Sequence, residues 1–301
     1  MNSDFSYEKT LKTKNEKDFL NFQHYLLFSS DRITKFLYYT SVTPHQVILF
    51  SMFIGILSAF LIIQENWIFV ILGALFLFYK NVFDKVDGSL ARAKGITSRR
   101  GRFYDSLSDF VVSLTLFSAI SYKLFLTYNN YFVFLLCFLA LISSMIQCSF
   151  FVYYQVSFIK FSGFNTVNRL VEYVTEEDLK NQDRLTILLQ RMFMIIYGWQ
   201  DILISKLDEY LFNKLESRFK ILNPQSSIPN PQLKNLWYYH KTFLSISSLL
   251  SIGSHMVLIA LFAVLGRFEY YLFINLIIGN LTLLIAGFYH YYSVKKSLKC
   301  I

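Results

Sequence analysis

Long apolar runs separated by short polar connections dominate the chain from residue 46 onward. Gln46 to Ile63 holds no charge, and Trp67 to Phe83 holds only Lys80. Phe110 to Tyr128 carries Lys123 near its end, whereas Tyr131 to Ile159 is uncharged for 29 residues. Thr242 to Gly266 and Tyr270 to Val294 are free of Asp, Glu, Lys and Arg. About 20 apolar helical residues cross a hydrocarbon layer roughly 30 Å thick. The pattern therefore predicts an all-α, polytopic membrane protein with six transmembrane helices, the fourth long enough to tilt or project. Two further stretches are less purely apolar. Phe19 to Phe28, with Asn21, Gln23 and His24 interspersed, reads as an amphipathic helix on the membrane surface. Leu185 to Ile204, interrupted by Gln190, Arg191, Gln200 and Asp201, reads as an interfacial or packed amphipathic helix, not a seventh span. Leu222 to Pro231, with three prolines, reads as a loop.

The connections set the sidedness. The first, third and fifth are Glu65-Asn66, Asn129-Asn130 and Arg267 to Glu269, with one basic residue among them. The second carries Arg92, Lys94, Arg99, Arg100 and Arg102. The fourth runs from Lys160 past Arg169 and Lys180 to Lys241, and the tail has Lys295, Lys296 and Lys299. By the positive-inside rule, both termini and the second and fourth connections face the cytoplasm. This divides the chain into a cytoplasmic segment 1–44, a six-span domain 45–295 with an insertion 161–240 between spans four and five, and a basic tail 296–301. The first 44 residues are polar before any apolar run begins, so no secretory signal peptide is expected.

Composition sharpens the class. Hydrophobic residues make up 54% of the chain and charged ones only 16%, against about 25% charged in soluble proteins. The net charge of +9 in such a chain marks cytoplasmic loops and anionic lipid head groups, with no nucleic acid implied. Three scattered cysteines form neither a disulfide framework nor a CxxC metal site.

Against this background four aspartates stand out, because charge near a bilayer is costly and is by default functional. Asp84 and Asp87 end the second span at spacing i, i+3; Asp105 and Asp109 begin the third at i, i+4. Each pair falls on one helix face, and a short loop between antiparallel helices brings all four carboxylates together. Like charges at that density call for a cation. Oxygen-only ligands favour Mg²⁺ or Mn²⁺, and two such ions can hold a phosphate between them. Gly88 and Ala91 are small enough to admit a ligand to the backbone, Arg92 can pair bidentately with phosphate, and Gly101 lets the chain turn.

The run Asp84-Lys-Val-Asp87-Gly88-Ser-Leu-Ala91-Arg92, eight residues, then Gly101-Arg-Phe-Tyr-Asp105-Ser-Leu-Ser-Asp109 resembles the signature of the CDP-alcohol phosphatidyltransferase family, and the six-span layout resembles that family's too. The resemblance covers roughly residues 30–295. It implies two Mg²⁺ or Mn²⁺ ions held by Asp84, Asp87, Asp105 and Asp109, with Asp109 also the catalytic base. It further implies a CDP site formed by Gly88, Ala91, Arg92, Ser98 and Gly101. The implied partners are a CDP-alcohol such as CDP-diacylglycerol and a small polar alcohol acceptor, with CMP released, and family members are often homodimers. The implied setting is the cell (inner, cytoplasmic) membrane, with the active site at its cytoplasmic face and a role in phospholipid biosynthesis. The chain departs from the pattern at Arg100, where the family commonly has an aromatic residue, and at Thr43-Pro44-His45, where Pro-Asn is frequent. His45 is a candidate nucleotide contact.

Arg99, Arg100 and Arg102 suit either a phosphorylated acceptor or the anionic lipid surface, and Arg169 and Arg191 are further acceptor candidates. Other readings are a phosphotransferase that moves a CDP-linked polar head group onto a diacylglycerol-type lipid, and a membrane cation transporter. The transporter predicts acidic residues at mid-span; here they sit at span ends.

Overall fold

The computed structural model describes residues 5–11, 29–162, 168–222 and 230–298, and these residues are mostly helical with no strand among them. The juxtamembrane reading of Phe19 to Phe28 lies outside the described residues. A single 3-10 turn, Tyr7–Thr10, precedes α1 (Ser30–Tyr38). α2 (Pro44–Leu61) begins at a capping box between Thr43 and Gln46 with proline in the first turn, which satisfies otherwise orphaned amides. The Asn66 side chain caps α3 (Trp67–Ala93), and the Ser98 side chain caps α4 (Arg99–Tyr128). α4 ends at Asn129, which adopts the left-handed conformation with φ 46°, a position Asn tolerates well. α5 (Phe132–Phe161) follows.

α2, α3 and α4 pack closely because small residues face one another. Ser58 donates to the Gly73 carbonyl at 2.7 Å. At Gly55 a Cβ would come within 2.8 Å of Val112 and 3.1 Å of Lys80 Cγ, so the helices approach where side chains are missing. The apolar core runs through Leu77, Val112, Leu116, Ile120, Ala140, Ile259 and Tyr271. Large apolar side chains such as Phe53, Trp67, Phe138, Ile285 and Phe288 are exposed on the outside, the arrangement of a multi-pass membrane protein.

After a short α6 (Glu176–Asn181), α7 (Arg184–Phe193) continues through a π-helical stretch, Met194–Gly198, into α8 (Trp199–Leu222). α9 (Asn230–Tyr238), α10 (Lys241–Ser247) and α11 (Ile252–Val264) lead to α12 (Phe268–Phe273), which joins α13 (Asn280–Leu298) through a second π-helical stretch, Ile274–Gly279. Pro231, assigned to a loop by sequence, lies in the first turn of α9, where a missing amide costs nothing. Residues 223–229 lie outside the described set.

Six helices are long and apolar enough to cross a membrane, Arg184–Ser217 among them; Leu233–Leu250 and Ile252–Val264 form a seventh candidate bent by 41°. Contacts distinguish these two. Arg100 at the start of α4 pairs with Asp183, just ahead of α7. Asp208 in α8 meets Tyr153 and Tyr154 near the end of α5, and Phe212 and Leu215 meet Val294 and Leu298 at the end of α13. Arg184–Ser217 packs on α4 at Phe103 and Phe110, on α5 at Tyr153 and Tyr154 and on the end of α13. By length and composition it qualifies as a span, where the sequence reading of Leu185 to Ile204 expects an interfacial or packed amphipathic helix. The bent pair instead runs from that end, where Trp237 touches His290, into the core at Met256 and Ile259.

Two polar seams lock the later helices. Inside the bundle, Gln147 donates to the Asn275 carbonyl at 3.0 Å, Asn275 to the Ala140 carbonyl at 2.9 Å, and Asn280 to Ser143 at 2.8 Å. Nearer the end, the buried Asp208 carboxylate accepts from Tyr153 (3.2 Å), Tyr154 (2.8 Å), Trp237 (2.8 Å) and Tyr238 (2.7 Å).

Candidate active site

α3 and α4 are antiparallel, and the loop 94–98 joins them at the end of the bundle that α7 and α8 cover. Lys94 fixes the loop by donating to the carbonyls of Thr40 and Val42, each at 2.8 Å. The last turns of α3 thus face the first turns of α4. Asp84, Asp105 and Asp109 each offer a carboxylate oxygen within 4.8 Å of the others. Asp87 lies one turn on from Asp84, is only 5% exposed, and its Oδ2 has no hydrogen-bond partner. A buried carboxylate oxygen without a donor is costly, and a cation is the ligand that would satisfy it. The donor set is all oxygen, so the residues fit a hard divalent ion and not zinc.

Lys80 is the residue that sequence reasoning noticed only as an isolated charge in a span. It is fully buried, one turn before Asp84; its ammonium donates to Asp84 Oδ1 at 2.9 Å and pairs with Asp109 across the helix interface. Its i, i+4 relation to Asp84 was the available signal.

The residues assigned to the CDP site line the same end. A Cβ at Gly88 would stand 3.3 Å from an Arg92 guanidinium nitrogen. Arg92 donates through Nε to the Thr10 carbonyl at 2.7 Å and through Nη2 to Ser89 at 3.3 Å. Nothing in the sequence pointed to Thr10, which the N-terminal 3-10 turn brings there. Ala91 is half-buried beside Arg92 on α3. Ser98 accepts from the Gly101 amide at 3.0 Å. His45 stacks edge-on against Tyr104, and its buried Nε2, without a partner, lies 3.8 Å from where a Gly101 Cβ would be.

Four of the five acceptor candidates are tied into ion pairs. Glu172, fully buried, accepts from Arg99 Nη2 at 2.7 Å, from the Arg169 amide at 2.7 Å, and pairs with Arg102. Asp178 takes a two-pronged contact from Arg169, at 2.6 and 2.8 Å. Burial opposes ionisation of Asp178, but hydrogen bonds from Arg169, the Thr175 amide and Gln190 hold its carboxyl well below the usual carboxylate range. Arg100 pairs with Asp183 at 2.7 Å, and hydrogen bonds from Arg100 and Thr186 hold the Asp183 carboxyl low too. Arg191 is exposed on α7. α7 itself is seated by Phe193 against Phe103, and Tyr197 in the π-helical stretch donates to the Ser106 carbonyl at 3.1 Å.

A search among curated proteins finds no match to the chain. The family model described as CDP-alcohol phosphatidyltransferase matches residues 41–207, which is more than half of the chain and includes every aspartate of the site. With its clustered carboxylates at the ends of two membrane-embedded helices, this chain belongs to the CDP-alcohol phosphatidyltransferase family, the transferases that move phospholipid head groups from a CDP-alcohol.

Proposed function

We propose that the protein transfers the phosphatidyl group of CDP-diacylglycerol to the hydroxyl of a small polar alcohol at the cytoplasmic face of the membrane. The observation that carries this reading is the meeting of Asp84, Asp105 and Asp109 within 4.8 Å, with Asp87 buried beside them. Asp84, Asp87, Asp105 and Asp109 would hold two Mg²⁺ or Mn²⁺ ions, which supply charge neutralisation for the diphosphate. Gly88, Ala91 and Gly101 leave room for the CDP portion, while Arg92 and Ser98 provide donors to it. The acceptor hydroxyl oxygen attacks the phosphorus that bears the diacylglycerol. The phosphorus–oxygen bond to CMP breaks, CMP leaves, and the hydroxyl proton passes to the Asp109 carboxylate. A site at helix ends lets the lipid keep its tails in the bilayer.

Arg99, Arg100, Arg102 and Arg169 each already face a carboxylate that offsets their charge, which supports an uncharged or zwitterionic acceptor over a phosphorylated one. The test is CMP release by the purified protein in lipid micelles with CDP-diacylglycerol, Mg²⁺ or Mn²⁺, and serine, ethanolamine, inositol, glycerol 3-phosphate or inositol 1-phosphate offered singly. Metal-dependent release with one acceptor supports the reading. Silence with every acceptor, from folded protein with metal bound, overturns CDP-diacylglycerol as donor and turns attention to CDP-linked polar donors.

A further inference from the structure

The Lys80 ammonium occupies a defined place among the aspartates. It is reached from the bundle interior, one turn before Asp84 on α3 and opposite Asp109, which lies one turn deeper than Asp105 on α4. The lysine is fully buried and bonded to both carboxylates. Its aliphatic stem passes Gly55 on α2, where a Cβ would stand 3.1 Å from Lys80 Cγ. Three helices therefore contribute to this arrangement: one supplies the cation, one its partner, and one the missing side chain that makes space. A fully buried ammonium is retained only with such pairing.

We infer that Lys80 is a resident cation of the metal centre, sharing Asp84 and Asp109 with the divalent ion and thereby setting how tightly that ion binds. The inference rests on reading the aspartates as a metal site. Without metal, Lys80 holds two mutually repelling carboxylates in place. With metal, its charge opposes the incoming ion, so affinity is held below what four aspartates alone would give. Lys80 acts through Asp84 and Asp109 and is not itself placed on the substrate or the transferred phosphorus, which makes it a positioning residue.

The sign of the effect separates this role from a purely structural one. Damage to the fold weakens metal binding, whereas removal of a competing cation strengthens it. The experiment titrates Mn²⁺ by electron paramagnetic resonance into metal-stripped, full-length protein in detergent, and records thermal unfolding in EDTA. Lys80→Met and Lys80→Gln are expected to bind Mn²⁺ at least tenfold more tightly than the wild type while unfolding at lower temperature without metal. Lys80→Arg, which keeps the charge, is expected to stay within threefold of wild-type affinity. Neutral variants that fold only with Mn²⁺ present also support the role. Neutral variants that bind Mn²⁺ no more tightly, or that fail to fold with and without it, overturn it while leaving the metal site standing. Absence of Mn²⁺ binding by the wild type overturns it together with the metal site itself.

Discussion

Glu172 lies fully buried against the guanidinium of Arg102, three residues before Asp105 on the same helix. The pair fastens the segment ahead of α6 to the N-terminal turn of α4, so the carboxylate that arrives from residue 172 steadies the helix end carrying the site. Replacing Glu172 with Gln leaves Arg99 and Arg102 without their shared counter-charge. Removing one partner of a buried ion pair costs about 3–5 kcal/mol, and the arginines keep some solvent, so a loss of about 3 kcal/mol is expected. Thermal unfolding in detergent micelles measures it, and the Michaelis constant of the acceptor should rise with it.

Asp109→Asn keeps the shape of the side chain and removes the base. CMP release is expected to fall at least about 100-fold, in the range that general-base catalysis contributes, with the far-ultraviolet circular dichroism spectrum unchanged. Retention of more than a tenth of wild-type turnover would assign the proton to another group.

Acidification tests the Asp178 contact. Its carboxyl is held below the usual carboxylate range by Arg169, Thr175 and Gln190, so its contribution is complete above the unfolded value of about 3.9 and is lost as pH falls beneath that toward the lower folded value. The protection of amides in residues 169–183, taken as exchange relative to the intrinsic rate at each pH, should stay constant from pH 7 to pH 5 and fall below about pH 4. Asp178→Asn should lower that protection throughout.

At Gly55 a methyl group would meet Val112 at 2.8 Å and the Lys80 stem at 3.1 Å. Gly55→Ala is expected to cost about 1–3 kcal/mol through overpacking and to lower activity by disturbing Lys80. Gly287, which has nothing within 4 Å of a built Cβ, serves as the control: Gly287→Ala should leave activity within twofold. Thermal unfolding and CMP release measured on both variants check the pair.

Asp208→Ala would strand three buried donors, those of Tyr153, Tyr154 and Trp237, and the half-buried hydroxyl of Tyr238. Each unsatisfied donor costs about 1–3 kcal/mol, so a loss of at least about 3 kcal/mol is expected. Asp208→Asn, which keeps one acceptor oxygen, should lose less. Chemical unfolding of the two variants in micelles gives the comparison.

Asp84, Asp105 and Asp109 were legible because helical spacing puts each sequence pair on one face and a short loop returns the chain beside itself. Asp87 is buried one turn on from Asp84, outside that group of three. Five of the six apolar runs were legible for the same local reason; Thr242 to Gly266 is divided among α10, a 3-10 turn and α11 with a 41° bend. Arg184–Ser217 qualifies as a span by length although its Gln190 and Gln200, both fully buried, interrupt the apolar pattern. Lys80 was not legible as a site residue, because a lone charge in an apolar run reveals no partner until Asp109, 29 positions away, is placed opposite it. The arginines of the loop looked available for a phosphate for a similar reason. Their carboxylate partners come from residues 172 to 183, and no periodicity links that segment to α4. α1 carries too few apolar residues to announce itself, yet Ile33 and Leu37 pack on Val86 and Leu90.

The Thr10 carbonyl and the Gly253 carbonyl, which meet Arg92 and Asn81, both come from outside residues 41–207. A chain trimmed to that matched segment would keep every aspartate and lose the clamps on either side of α3. The portable part of this enzyme is its chemistry; the rigidity that aims it is distributed over the whole length of the polypeptide.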